Sequence, residues 1–163
     1  MNPALNSYKK SSGRNHTATL FADSLAFGFR TIAKQMTQMK PKLSLLENLF
    51  TIHRFPANHA VPEHIYESKF YSISKTEDEL SIVCDSSILL NSEKTETGWS
   101  CIKVLGPLDF SLTGILADIS TVLSKAEISI FALSTFDTDY ILVKSEQILF
   151  AKDALLASGY TFK

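Results

Sequence analysis

Residues 106–144 read GPLDFSLTGILADISTVLSKAEISIFALSTFDTDYILVK, and this stretch decides the fold. Gly106-Pro107 interrupts the apolar run that begins at Trp99. From there Leu112, Ile115, Leu116, Ile119, Val122 and Leu123 recur at the i, i+3, i+4, i+7 spacing of a helix with one core-facing side. Asp109 or Ser111 is placed to cap that helix, because a short polar side chain can accept from the unpaired amides of its first turn. Ile128–Ser134 is rich in Ile and Phe and reads as a strand. Thr135-Phe136-Asp137-Thr138 turns the chain, and Asp139–Lys144 returns as a second strand.

Working outward, residues 145–158 predict a second helix presenting Ile148, Ala151, Leu155 and Leu156 inward. Gly159 is suited to end it, since Gly accepts a left-handed conformation without penalty. Tyr160-Thr161-Phe162 completes the pattern as a short last strand. With the strand Trp99–Leu105 in front, residues 99–163 spell β-α-β-β-α-β, the ferredoxin-like order. Upstream, residues 43–98 give a weaker echo. Leu49–Phe55 reads as a strand ended by Pro56 and Asn58. Val61–Ile65 opens a short helix with Pro at an early position. Phe70–Ser74 and Leu80–Cys84 are strands around a charged turn, Lys75–Glu79. Residues 91–98, NSEKTETG, are expected as a solvated connection. The fold class is therefore α+β, with two ferredoxin-like (βαββαβ) units, the first degenerate, over residues 43–98 and 99–163.

Residues 1–42 form an N-terminal extension. Residues 1–17 are polar and rich in Asn, Ser and Lys, a composition expected to be disordered. An approximate helical apolar stripe runs from Leu20 to Met39. Lys9, Lys10, Arg14, Arg30, Lys34, Lys40 and Lys42 face only Asp23 over residues 1–46. Such a basic, amphipathic start suits an organelle transit segment or a membrane-surface helix. A third reading is an over-long start, with Met36 or Met39 as the true first residue.

Composition excludes several function classes. Apolar content is 45 %, charged content 20 % and net charge −1, a globular balance with no global bias toward nucleic acid. No run of about 18 apolar residues occurs, so no transmembrane segment is expected, and a cytoplasmic location is. Cys84 and Cys101 lie in apolar strand-like runs and read as reduced core residues. His16, His53, His59 and His64 show no zinc-ligand spacing, and Pro62 breaks any helix that would align His59 with His64. No G-x-S-x-G, P-loop or H-E-x-x-H motif is present. Glu77-Asp78-Glu79 sits on a hairpin tip and reads as a solvated turn rather than a catalytic carboxylate pair. Neither an enzyme, a cofactor nor a metal is expected.

Three stretches, TEDELSIVC (76–84), GWSCIKVLGPLDFSLTG (98–114) and ISIFALSTFDTDYILV (128–143), resemble the bacterial proteins built of two paired ACT-like units, a family related to the CASTOR arginine sensors of animals. The resemblance covers roughly residues 43–163. It implies a regulatory module that binds a small molecule, an amino acid by preference, and forms oligomers, with a homodimer as the simplest form. The alternative it allows is an ACT-fold interaction protein that needs no ligand. In the family, the pocket is built from the loop entering the first helix and the turn after the second strand. Carried over by position, the ligand-binding residues are Asp109, Phe110, Ser111 and Leu112, then Thr135, Phe136 and Asp139. The chemistry of these residues fits in part. Amides at a helix entry suit a carboxylate, and Asp139 or Asp109 suits an ammonium group through charge-assisted hydrogen bonds. The same residues also serve as ordinary turn formers and core aromatics.

Overall fold

The computed structural model describes residues 40–108 and 114–163. The expected N-terminal disorder and helix over residues 1–39, and the proposed caps Asp109 and Ser111, lie outside the described residues, as does Leu112 on the expected helix face.

Among the described residues, eight strands form one sheet around a long central strand, β5 (Lys94–Val104). The N-terminal half of β5 pairs antiparallel with β2 (Phe50–Pro56), through Trp99↔Phe50 to Lys94↔Arg54. β2 pairs with β4 (Glu79–Asp85), and β4 with β3 (Ser72–Lys75), both antiparallel. The spatial order β5-β2-β4-β3 is the 4-1-3-2 order of a ferredoxin-like unit. The first helix of that unit has shrunk to a 3-10 turn, Glu63–Glu67, entered after Pro62 and anchored by the fully buried Ile65. No helix separates β4 from β5, which makes this unit degenerate.

The second unit is fuller. Along its other edge β5 pairs with β7 (Asp139–Lys144), from Trp99↔Lys144 to Lys103↔Tyr140, and β7 pairs with β6 (Ile130–Ser134). α1 (Ile115–Lys125) and α2 (Ile148–Ala157) cover one face. Ile119 and Leu123 of α1 and Ala151 and Leu155 of α2 reach zero exposure against Leu43, Ile102, Val104 and Ile141. The expected stripe of α1 is thus the buried one. That of α2 is right for Ala151 and Leu155 but not for Leu156, which is exposed together with Leu149 and Phe150. The i, i+4 pair Ala151 and Leu155 fixes the inward direction, and Leu156 lies about 100° past it. Gly159, at φ +90°, reverses the chain after α2, with the Tyr160 amide donating back to the Leu155 carbonyl at 3.0 Å.

Two features depart from the sequence reading. Residues 94–98, expected as a solvated connection, are the first half of β5. Their side chains are exposed, so no apolar alternation marks them. The ladder to β2 holds them, together with Lys144 Nζ, which lies 3.1 Å from Glu96 Oε2. The second departure is a strand that was not expected. β1 (Lys42–Leu45) enters the second unit's sheet between β5 and β8 (Thr161–Phe162). β8 therefore pairs in parallel with β1, Leu43↔Phe162, where a regular unit would pair it with its own first strand. Lys40, just before β1, reaches α1 and the end of the chain. Its Nζ lies 2.6 Å from Asp118 Oδ2 and 4.3 Å from the Tyr160 ring centroid.

The opposite face of the sheet carries its own cluster. Phe50, Val83, Trp99, Cys101 and Leu142 are buried there, with Phe70, Phe131, Leu133 and Tyr140 half-buried around them. Cys84 and Cys101 are free and buried, as expected of reduced core thiols.

Candidate functional site

The turn between β6 and β7 is closed by its own residues. The Thr135 amide and hydroxyl both donate to the Thr138 carbonyl, at 2.8 and 2.9 Å. The Thr138 hydroxyl, buried, donates across to the Val104 carbonyl. The loop that follows β5 lies against this turn, with the Leu108 amide donating to the Asp137 carbonyl at 2.8 Å. Gly106 is the residue this approach requires: a Cβ there would run into the Asp137 carbonyl oxygen. The Gly106-Pro107 peptide is cis. The chain entering the segment before α1 is therefore fixed to the turn that carries three of the expected site residues.

Those three residues differ in their surroundings. Phe136 stands 78 % exposed at the tip of the turn rather than in the core. Thr135 has its hydroxyl engaged in closing the turn. Asp139, half-buried at the start of β7, accepts a hydrogen bond from the Ser134 hydroxyl at 2.6 Å on Oδ1. Its second oxygen has no described hydrogen bond. Asp109, Phe110, Ser111 and Leu112 lie outside the described residues. The helix that follows begins after Gly114 with no side-chain cap.

A second constellation, which the sequence did not single out, lies on the sheet face opposite the helices. The linker from β1 to β2 bends over a cleft of about 340 Å³, a size within the range of small-molecule sites. Its floor is aromatic. Phe50 meets Phe70 edge-on at 5.4 Å, and Phe70 lies 4.4 Å from the Tyr140 ring. Its rim carries Asp85, Lys69, Lys103 and Glu47. Asp85 is held in place: the Ser87 amide donates to Oδ1 at 2.8 Å and the Asn48 side-chain amide donates to Oδ2. These donors, the Ser87 amide first, hold its carboxyl below the usual range, so it is ionised at neutral pH. A further hollow of about 520 Å³ continues past Asn48 and Asp85 toward His64. These residues come from segments far apart in the chain, and no spacing rule connects them.

Elsewhere, some charged groups tie strands together. Arg54 bridges Glu79 and Glu93, each at 2.9 Å, which ties the hairpin tip Glu77–Glu79 to the sheet. His53 is buried, with Nδ1 3.0 Å from the Ser92 hydroxyl, and burial lowers its pKa.

Comparison with known proteins matches this architecture. A family model described as an ACT domain covers residues 94–157, the span of β5 through α2. A second model, of an N-terminal domain, covers residues 48–89. A crystal structure of a protein from Agobacterium tumefaciens superposes with a TM-score of 0.71 at 37 % identity, covering 77 % of this chain and 93 % of that one. The cytosolic arginine sensor for mTORC1 subunit 1 of Pongo abelii is 35 % identical over 115 residues, which take in 64 % of this chain and 35 % of that protein. Its human counterpart is 34 % identical over the same length. The chain thus spans about a third of the length of these curated relatives. The regulatory subunit of aspartate kinase from Thermus thermophilus shares the fold, with a TM-score of 0.54 at 7 % identity. Residues 94–157 thus match an ACT domain, and the described residues form two ferredoxin-like units in one sheet.

Proposed function

We propose that this protein is a non-catalytic regulatory module that binds a free amino acid and passes the binding event to a partner, acting in the cytosol. The observation that carries this reading is the clamping of the loop after β5 onto the β6–β7 turn, through Leu108 to Asp137 and Thr138 to Val104. That contact holds Leu108 against the turn that carries Phe136 and leads into Asp139. Asp139 supplies an anion for the ligand's ammonium group, with one carboxylate oxygen oriented by Ser134. Helix-entry amides over Asp109–Leu112 supply donors for its carboxylate, and Phe110 and Phe136 cover its side chain. Similarity to sensors whose names state arginine sensing supports an amino acid as the ligand class. A homodimer that builds the site from two copies belongs to the same reading.

The test is a thermal-shift screen of the twenty amino acids followed by calorimetric titration of wild type and Asp139→Asn. At about 100 times its dissociation constant, a true ligand adds about 2.7 kcal/mol of stability. If no amino acid shifts the melting point at millimolar concentration, the ligand-independent interaction protein takes the place of this reading.

A further inference from the structure

The cleft beneath the β1–β2 linker holds opposite charges that do not satisfy each other. Asp85 is an ionised carboxylate pinned by Asn48 and Ser87, yet no described cation lies within the 4.0 Å of an ion pair. Lys69 and Lys103 share the same cleft. Neither has a described carboxylate within that distance. Lys103 instead lies 5.5 Å from the Tyr140 ring centroid, at the edge of the aromatic floor. Between these charges is a space of about 340 Å³ floored by Phe50, Phe70 and Tyr140.

From this we infer that the cleft is a second binding site, distinct from the loop-and-turn site, for a zwitterion with an apolar side chain: a free α-amino acid such as leucine, methionine or phenylalanine. The ligand's ammonium group meets Asp85, its carboxylate meets Lys103 or Lys69, and its side chain lies on the aromatic floor. A simple anion or cation would leave one of the two charge sets unmatched, and an uncharged apolar molecule would leave both. Matching both at once is what a zwitterion offers. Orientation of the anion is already established before binding, since Asp85 is fixed by two donors, so little ordering is left to the ligand event.

The position gives such a ligand a structural lever. Asp85 ends β4 of the first unit, Lys103 and Tyr140 belong to β5 and β7 of the second, and the wall is the linker between β1 and β2. A molecule spanning the cleft ties the linker after β1 to both units.

The experiment is calorimetric titration of the full chain with L-leucine, L-methionine and L-phenylalanine, and with N-acetyl-L-leucine, which lacks the ammonium group. Asp85→Asn, Lys103→Met and Asp139→Asn are titrated in parallel. Lys103→Met keeps an apolar stem over Tyr140 and sits on a half-exposed position, so it reads binding rather than folding. The inference expects at least one of the three amino acids to bind wild type, and the N-acetyl derivative not to bind. It expects Asp85→Asn and Lys103→Met each to weaken binding by about tenfold or more, the loss of one charge-assisted contact. Affinity that is unchanged in both cleft variants overturns it, as does binding of the N-acetyl derivative equal to that of leucine. Affinity lost only in Asp139→Asn overturns the cleft site while leaving the loop-and-turn site standing. Absence of binding by all three amino acids at millimolar concentration also overturns it.

Discussion

The amide of Leu108 donates to the carbonyl of Asp137 at 2.8 Å, across a stretch of chain, 109–136, that contains a whole helix and a strand. This single backbone contact fixes the loop after β5 to the β6–β7 turn, and Gly106 permits it by having no side chain to obstruct the Asp137 carbonyl.

Gly106→Ala is therefore expected to destabilise the fold by about 1–3 kcal/mol, the range for forcing atoms into occupied space. Urea denaturation of the variant measures this. The slope of the transition should be unchanged and the midpoint lower. Gly114→Ala has no close neighbour to meet, and its loss should reflect only the left-handed backbone at φ +85°. A Gly106→Ala midpoint equal to wild type would mean that the loop does not hold this position.

The inserted strand β1 sets the second prediction. Leu43 reaches zero exposure in the core under α1 and α2, although it lies in a short polar-flanked segment. Leu43→Ala and Ile119→Ala should each cost about 2–5 kcal/mol, as expected for cavities in a packed core. Leu116→Ala should cost less, because Leu116 is only half-buried, and exposed Lys125→Ala should cost a few tenths at most. Equal losses at Leu43 and Lys125 would show that β1 does not pack as described.

Lys40, Asp118 and Tyr160 form a cluster whose pH response has two limbs. The Lys40 ammonium and the Tyr160 hydroxyl, 2.7 Å from Asp118 Oδ2, hold the Asp118 carboxyl below its ordinary value. A depressed carboxylate contributes stability above its unfolded pKa and loses it as pH falls through the folded one. Asp118 is about half exposed, so Asp118→Asn should cost less than about 1 kcal/mol at pH 7, with no difference from wild type in strong acid. Burial, then Asp118, raises the Tyr160 phenol. Its contribution is present below the unfolded tyrosine range near pH 10 and is lost above it. Tyr160→Phe should flatten the alkaline limb and, by removing one of the donors to Asp118, reduce the acid limb as well, as read by denaturant midpoints across pH.

Burial pushes the Cys84 thiol up to about 11, with Asp85 adding to it, and the Cys101 thiol up to about 12. Both should be unreactive toward a thiol reagent at pH 8 in the native chain and fully reactive after denaturation. Fast labelling of either in the native state would contradict their burial.

The sequence was most legible where side-chain periodicity matched burial. Ile119 and Leu123 announce the inner face of α1, and Asp139–Lys144 coincides with β7, because in both cases apolar side chains define the element. Legibility failed where the backbone alone defines it. Lys94–Thr97 are polar and exposed, and only the ladder to β2 makes them a strand. Lys42–Leu45 is too short for its alternation to stand out, and its partners, β5 and β8, lie some 60 and 120 residues away in sequence. At the candidate site, Thr135 to Thr138 were readable as a turn, with Asp139 opening the strand after it. That Thr138 ties itself to Val104, and that Asp85 shares a cleft with Lys103, depends on long-range sheet order that no local pattern carries.

Calorimetric titration of the full chain with the amino acid that most raises its melting point tests the central claim most directly. Amino-acid binding at the loop and turn predicts a measurable dissociation constant in wild type, and an affinity about 10- to 150-fold weaker in Asp139→Asn, the loss of one charge-assisted hydrogen bond. An Asp139→Asn affinity equal to wild type, with the fold intact, would contradict it.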